Sequence, residues 1–295
     1  MTNPPDQPPP ALKGVRILSL ALNLPGPAAL MRCRQMGADC VKLEPPAGDP
    51  MGHYNQAAYE QLHEGIEVLA ADLKSREGQT VLHRELARAD VLLTSFRPST
   101  FEKLGIAWAT LRGLYPSLSQ VAIVGGPGPR AEEPGHDLTY LADNGLVPGM
   151  QLPATLYADM SGSLMASEAV LQAVLLQRGA AGRPPGVLME VSLSEAARYL
   201  ALPRHWGLTA PEGWVGGAHA GYQVYACKDG RVALAALEPH FAAALCTAAG
   251  LAASDAKTLL RATTHQRIAD FLLTQTREQL DTLARVKDIP LHTMI

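Results

Sequence analysis

The chain has 295 residues, of which 47% are hydrophobic and 18% charged, and 25 Lys and Arg against 28 Asp and Glu give a formal net charge of −3. This composition is that of a globular protein and excludes a disordered chain, a basic nucleic-acid-binding surface and, since no long apolar run occurs, a membrane-spanning helix. The 4 cysteines are scattered without a CxxC pair. We therefore expect a cytoplasmic protein with neither a disulfide framework nor a metal site.

The N-terminal part of the sequence predicts a leader followed by a βαβ unit. Residues 1–13 are rich in proline and lack the basic start and apolar core of a signal peptide, so we expect a disordered leader. GVRILSLA (14–21) predicts a strand, a turn and a helical pattern follow, and DCVKLEPP (39–46) predicts a second strand. The first loop lacks the G-x-G-x-x-G fingerprint of a dinucleotide site, so an NAD site is not expected.

The alternation of strands and helices continues along the chain. VLAADL (68–73), DVLLTSF (90–96) and LSQVAIVG (118–125) predict strands with helical segments between them. The first 130 residues therefore predict an α/β fold with an open, Rossmann-like parallel sheet. Further helices are predicted over 137–148 and 159–179.

The character of the sequence changes from about residue 215. GYQVYACKDGRVALAAL (221–237) predicts a β-hairpin that turns at Lys228-Asp229-Gly230. Helical segments follow to about 286, and a short strand-like segment comes last. We predict a large α/β domain over 1–199, a second, smaller α+β domain over 200–285 and a separate segment over 286–295.

Three titratable residues stand out for their chemistry. His136 follows a Pro-Gly turn and precedes a helix, Asp159 lies at the start of a helix with small residues, and Glu238 ends an apolar strand before a proline. Each also has a purely structural explanation. His136 and its neighbour Asp137 are placed to cap a helix, Asp159 is placed to be an N-cap, and Glu238 fits a solvated turn. The residues alone leave both explanations open.

Several longer stretches carry a family resemblance. They are LKGVRILSLA (12–21), GHDLTYLADNG (135–145), YADMSGS (157–163), MEVSLSEAA (189–197) and YQVYACKDGRVALAALEPHF (222–241). In order and spacing they resemble the family III CoA-transferases, a group that includes carnitine dehydratase-like proteins, formyl-CoA transferase and α-methylacyl-CoA racemase. The resemblance implies a homodimeric enzyme that acts on a small-molecule acyl-CoA, with CoA as part of the substrate and no further cofactor.

The resemblance is greatest to the racemase branch. There, it implies, the histidine of GHD and the aspartate of YADMSGS exchange the proton α to the thioester, while the glutamate of an EP motif steadies the histidine. The matching residues are His136, Asp159 and Glu238. Inversion of a centre needs a base on one face and an acid on the other, and histidine titrates near neutrality. Racemase-like α-proton transfer on a 2-methylacyl-CoA is therefore the favoured function.

Two alternatives stay open. In the transferase branch, the resemblance implies, Asp159 attacks the acyl thioester and forms a mixed anhydride and then an aspartyl-CoA thioester. The glycine-rich loop of that branch is represented here by VGGAHAGYQ (215–223), with only two adjacent glycines. The other alternative is a non-catalytic, family-derived binding or partner subunit.

Two departures from the family bear on CoA binding and on assembly. A basic stretch that meets CoA phosphates is replaced by HEGIE (63–67), which has two acids. Lys42 and Arg97 still match positions that approach CoA, so we predict them as CoA-binding residues. The family's chain typically continues past DIPLHTMI (288–295) and returns to the large domain. We therefore expect 286–295 to be the start of a truncated return segment and the homodimer to be incompletely interlocked.

Overall fold

The computed structural model describes residues 10–179, 184–252 and 256–295, which form two compact units that meet in sequence between Ala201 and Leu202. This boundary lies two residues after the one predicted from the sequence. Residues 1–9 of the expected leader lie outside the described residues. The chain is packed soon afterwards, because Leu12 is buried and its N–H donates to the carbonyl of Met36.

The first unit is built on a six-stranded parallel sheet, which confirms the predicted α/β fold class. The strands are β1 (Arg16–Ser19), β2 (Asp39–Glu44), β3 (Glu67–Ala70), β4 (Val91–Thr94), β5 (Ser119–Val124) and β6 (Leu188–Ser192). Their order across the sheet is β3-β2-β1-β4-β5-β6, and every neighbouring pair is parallel. This is the strand order of a doubly wound, Rossmann-like sheet.

Helices cover both faces of this sheet. They are α1 (Pro25–Gln35), α2 (Pro50–Tyr54), α3 (Gln56–Leu62), α4 (Arg76–Leu86), α5 (Pro98–Leu104), α6 (Trp108–Leu114), α7 (Asp137–Asp143), α8 (Tyr157–Arg178) and α9 (Leu193–Leu200). Alternate residues of β4 belong to different cores: Val91 and Leu93 pack with α1 and α8, whereas Leu92 packs with α4 and α6. Because both faces are covered, the central strands β4 and β5 are buried along their whole length.

The strand order reverses between β1 and β4, and this point defines a crevice. In open parallel sheets the loops that leave two such neighbouring strands run to opposite faces, so a cleft opens beyond their carboxyl ends. The loop after β1 turns at once into α1, because Gly26 allows a close approach: a Cβ there would lie 2.1 Å from that of Ala21. The fold therefore predicts a ligand cleft between the β1 and β4 loops.

The second unit contains a three-stranded antiparallel sheet. Its strands are β7 (Tyr222–Cys227), β8 (Gly230–Ala235) and β9 (Leu291–Met294), and its helices are α10 (Leu202–His205), α11 (Pro239–Ala248), α12 (Ala256–Leu259), α13 (Ala262–Leu273) and α14 (Arg277–Lys287). β7 and β8 form the hairpin expected from the Lys228-Asp229-Gly230 turn.

The last strand differs from its sequence-based assignment to a separate, returning segment. β9 pairs antiparallel with β8 inside the second unit, and Ile289, just before it, is buried in that unit's core. The hydrogen bonds of the β8 edge and the burial of Ile289 together attach residues 289–294 to this sheet.

Across the residues that the structure describes, we find no helix with both the length and the apolar composition needed to cross a membrane.

Candidate active site

A cavity of about 900 Å³ lies in the first unit, at the carboxyl ends of its central strands. Its walls are the loops after β1, β4 and β5, part of α2 and α3, and the first turns of α7 and α8. Its lining includes Asn23, Tyr54, Arg97, Gly125, Gly135, His136, Asp137, Tyr140 and Asp159. The volume lies within the range of sites for small organic ligands. Three of the five predicted site residues, His136, Asp159 and Arg97, thus line one cavity.

His136 is the residue that precedes α7, and its backbone, not its ring, caps that helix. The His136 N–H donates to Thr139 Oγ1 at 3.0 Å, and the Thr139 N–H donates to the His136 carbonyl at 2.9 Å. The side chain is exposed, and its imidazole has no hydrogen-bond partner among the described residues. The backbone of His136 therefore accounts for the helix cap, and the imidazole is not used in it.

Asp159 lies in the first turn of α8, which begins at Tyr157. Its carboxyl is half-buried and has no hydrogen-bond partner among the described residues, while its N–H donates to Asp137 Oδ1 at 3.0 Å. Burial, and next to it the negative charge of Asp137, raise the pKa of Asp159 to about 6, while His136 opposes the shift. A carboxyl group that titrates near 6 exchanges protons readily at neutral pH.

The sequence suggested that the helix after Asp159 offers N–H donors to an enolate oxygen. The structure differs, because α8 begins two residues before Asp159 and the Asp159 N–H is already bonded to Asp137. That N–H is therefore not available to a ligand.

The raised pKa of Asp159 predicts a pH-dependent cost to stability. A folded-state pKa above the ordinary value means that ionisation is disfavoured in the folded protein, so the cost is absent below about pH 4 and complete above about pH 6. We expect Asp159→Asn to unfold at a higher temperature than wild type, by an amount that grows from pH 4 to pH 6 and then levels off. Thermal unfolding followed by circular dichroism between pH 4 and pH 8 measures it.

Asp143→Asn is the matched control, because the exposed Asp143 carboxylate accepts from Arg130 at 2.8 Å. Loss of that surface pair should lower stability slightly at every pH in the range. A stability gain in Asp159→Asn that is the same at pH 5 and pH 8 would contradict the assigned pKa.

Tyr140 forms part of the cavity wall and was not identified from the sequence. Its side chain is buried between two glycines: a Cβ at Gly125 would lie 2.4 Å from the Tyr140 hydroxyl, and one at Gly135 2.5 Å from the ring. Burial raises the pKa of Tyr140, with a further increase from Asp159. The glycine of GHD therefore makes room for this ring, a role that spacing alone does not reveal.

Lys42 lies in β2 and is completely buried, unlike the exposed cation that a CoA-binding residue requires. Its Nζ lies 2.5 Å from Asp49 Oδ2, 2.9 Å from Glu44 Oε1 and 2.8 Å from His63 Nε2. An ammonium group has three N–H donors, and all three have partners here. In this arrangement no Lys42 donor is left for a phosphate, and the CoA-binding role of Lys42 stays a prediction.

His63 completes the cluster as a neutral ring. Its Nδ1 lies 2.6 Å from the Tyr59 carbonyl, which only accepts, so Nδ1 carries the hydrogen and Nε2 accepts from Lys42. Burial lowers the pKa of His63, and the charge of Lys42 lowers it further. Oxygen and nitrogen atoms of Glu44, Asp49 and His63 lie within 4.8 Å of one another, as in a metal site, but the ammonium of Lys42 already lies among them.

The Lys42 cluster also shapes the cavity wall. Asp49 is the N-cap residue that precedes α2, and its two carboxylate oxygens accept the Asn23 N–H at 3.0 and 3.1 Å. Asn23 has a left-handed backbone with φ of 65°, which is uncommon for a residue other than glycine. Asp49, itself bonded to Lys42, thus holds the loop after β1 in the conformation that lines the cavity.

Arg97 lies immediately before α5, at the carboxyl end of β4. Its side chain is exposed, lines the cavity and forms no ion pair with any described residue, which removes the surface salt bridge as an explanation. The acids of HEGIE lie elsewhere in the fold: Glu64 and Glu67 are exposed, beside and within the edge strand β3, and neither lines the cavity.

Glu238 belongs to the second unit. It is exposed and immediately precedes α11, and its side chain makes no capping hydrogen bond to the first turn of that helix. Its predicted contact with His136 stays a prediction.

Comparisons with known proteins agree with this fold. A family model described as CoA-transferase family III matches residues 12–294. The chain is 31% identical over 257 residues to an alpha-methylacyl-CoA racemase from Mus musculus, which covers 81% of this chain and 65% of that protein. It is 33% identical over 149 residues to a cinnamoyl-CoA:phenyllactate CoA-transferase from Clostridium sporogenes, which covers 46% and 36%.

A crystal structure of a hypothetical protein from Mycobacterium tuberculosis superposes with a TM-score of 0.83 at 22% identity, over 95% of this chain and 83% of that one. At this identity the likeness supports the fold alone. The chain spans less than two thirds of the length of the two curated relatives above. Because the family model matches nearly the whole sequence, however, the resemblance seen in its motifs is confirmed: the chain belongs to CoA-transferase family III.

Proposed function

We propose that this chain acts on an acyl-CoA thioester and that His136 and Asp159 move the proton on the carbon next to the thioester carbonyl, as in a racemase. The observation that carries the proposal is the shared cavity. Both side chains line it, and neither the imidazole nor the carboxyl is engaged in a hydrogen bond with another described residue. The likeness to a mouse alpha-methylacyl-CoA racemase supports this choice of reaction.

The proposed step is a balanced exchange of one proton. The neutral imidazole of His136 removes the α-proton from one face and leaves an enolate, and the protonated carboxyl of Asp159 returns a proton to the other face. The opposite epimer reacts in reverse, from ionised Asp159 and protonated His136. Because the pKa of Asp159 is about 6, both of its protonation states are populated near neutral pH.

The test is α-proton exchange in deuterated water. A 2-methylacyl-CoA of defined configuration is incubated with the protein, and NMR follows both deuterium incorporation and the appearance of the other epimer. We expect incorporation and loss of configuration at the α-carbon. No exchange at high protein concentration with several acyl-CoAs would overturn the proposal and favour a non-catalytic binding subunit.

Transfer of CoA is the second candidate, because the half-buried Asp159 carboxyl lies on the cavity wall without a hydrogen-bond partner and is able to act as a nucleophile. The similarity to a relative named as a CoA-transferase supports it. In this reaction an acyl or CoA adduct forms on Asp159. Mass spectrometry after mixing with acyl-CoA, with hydroxylamine as a trap, detects the adduct, and exchange without any adduct would favour the racemase reaction.

Arg97 is the side chain proposed to bind a CoA phosphate. Its exposed guanidinium at the cavity lacks an ion-pair partner within the described ranges, and a guanidinium binds phosphate through paired N–H donors. We expect Arg97→Ala to weaken CoA binding by about tenfold, or about 1.4 kcal/mol, in isothermal titration calorimetry. Arg112→Ala, which removes an exposed arginine of α6 that does not line the cavity, is the control and should leave binding unchanged. Equal affinities for the two variants would contradict the assignment.

A further inference from the structure

We infer that Asp137 is a positioning residue for Asp159: its buried carboxylate holds the first turn of α8 in place and at the same time sets the charge beside the Asp159 carboxyl. The inference rests on the proposed proton-transfer function and adds a residue to it. From the sequence, Asp137 was explained as a helix-capping residue, and the proposed reaction does not use its side chain.

The first part of the argument is geometric. Asp137 is the first residue of α7 and is 5% exposed, while Asp159 lies 22 residues further on, in the first turn of α8. A single hydrogen bond of 3.0 Å, from the Asp159 N–H to Asp137 Oδ1, joins the two helix starts. Since His136 is the neighbour of Asp137, this bond fixes the segments that carry both proposed proton carriers.

The second part is electrostatic. The groups that act on Asp159 are Asp137, which disfavours its ionised form, and His136, which favours it. Tyr54 and Tyr140 line the same cavity, and the charge of Asp159 contributes to the raised pKa of each phenol. Of these four groups, Asp137 is the one whose negative charge disfavours a second negative charge on Asp159. Removal of that charge should therefore make Asp159 a stronger acid.

Two substitutions separate the geometric from the electrostatic contribution. Asp137→Asn keeps an oxygen acceptor of the same size for the Asp159 N–H but removes the charge, whereas Asp137→Ala removes both. We expect the titration midpoint of Asp159 to fall by roughly one pH unit in Asp137→Asn, as is typical for the loss of an adjacent like charge. In Asp137→Ala we expect the same direction together with a loss of order at the start of α8.

The experiment is carbon-13 NMR of the aspartate carboxyls in the full-length, ligand-free protein. The Asp159 resonance is identified by its disappearance in Asp159→Asn, and its midpoint is compared in wild type, Asp137→Asn and Asp143→Asn. Only Asp137→Asn should shift it. An unchanged midpoint would overturn the inference, and so would equal stability losses in Asp137→Asn and Asp137→Ala without any shift, since that is the signature of a merely structural residue.

Two further measurements test the inference if Asp137→Asn does not fold or if the proposed reaction is not observed. If Asp137→Asn does not fold, the titration of Asp137 itself is compared in wild type and Asp159→Asn, because coupling between two groups is reciprocal. An unchanged Asp137 midpoint there overturns the inference.

If wild type shows no α-proton exchange, the proposed function fails, but the NMR result still decides the role of Asp137. If exchange occurs, the acidic limb of its pH–rate profile should move with the Asp159 midpoint.

Discussion

Substitution of Lys42 by methionine should lower the free energy of unfolding by about 3–5 kcal/mol, which is the usual cost of removing one partner from a buried ion pair. The buried carboxylates of Asp49 and Glu44 would lose the cation that lies 2.5 and 2.9 Å from their oxygens. Methionine is close in length and apolar, so the effect reports mainly on charge. Urea unfolding monitored by fluorescence or circular dichroism measures it.

The matched control is Lys103→Met, which removes an exposed lysine from α5 and should change the unfolding free energy by less than about 0.5 kcal/mol. The same comparison decides between the two roles considered for Lys42. A residue that contacts CoA from the surface would behave like Lys103 in the absence of ligand. If Lys42→Met unfolds at the same urea concentration as wild type, the result contradicts a stabilising role of Lys42 in the buried cluster and favours its predicted role in CoA binding.

Loss of either proposed proton carrier should reduce racemisation by about 10²- to 10⁴-fold, because a positioned acid or base contributes on that scale. The two variants, His136→Ala and Asp159→Ala, should nevertheless differ in what remains. Each retains the group on one face of the substrate, so each should still exchange the α-proton of one epimer with solvent, without inversion. The epimer that exchanges should be opposite in the two variants.

Proton NMR of separately prepared epimers in deuterated water measures this selectivity. His205→Ala, which removes an exposed histidine of the second unit, should retain full activity on both epimers. Residual exchange of the same epimer in both variants would contradict a mechanism with carriers on opposite faces. A single group, shuttling between the faces, would then have to be considered in its place.

Much of the fold was predictable because the first unit follows local rules. The buried strands are short apolar runs, such as VLLT in β4 and SQVAIV in β5, and turn residues and helical patterns separate them. The order of the strands is not a local property, since it depends on which face each crossover covers. The switch between β1 and β4, which defines the cavity, therefore had to come from the structure or from the family.

The sequence motifs predicted which residues belong to the site, but not which side chains pack against one another there. His136, Asp159 and Arg97 were identified from their motifs, and that they line one cavity is a finding of the structure. The buried cluster around Lys42 was not predictable, because two of its partners, Asp49 and His63, lie 7 and 21 residues away and a strand residue has no local signal that distinguishes a buried cation from an exposed one. Long-range pairing of this kind is invisible to periodicity.

The left-handed conformation of Asn23 has a consequence for affinity. A loop that is mobile in the free protein must be ordered when a ligand binds, and the entropy lost in that step subtracts from the binding free energy. Here the Asn23 N–H is already held by both carboxylate oxygens of Asp49, whose own position depends on Lys42. The free-energy costs of the unfavourable backbone angle and of ordering the loop are therefore part of folding and not of binding. A ligand that enters the cavity meets a preorganised wall.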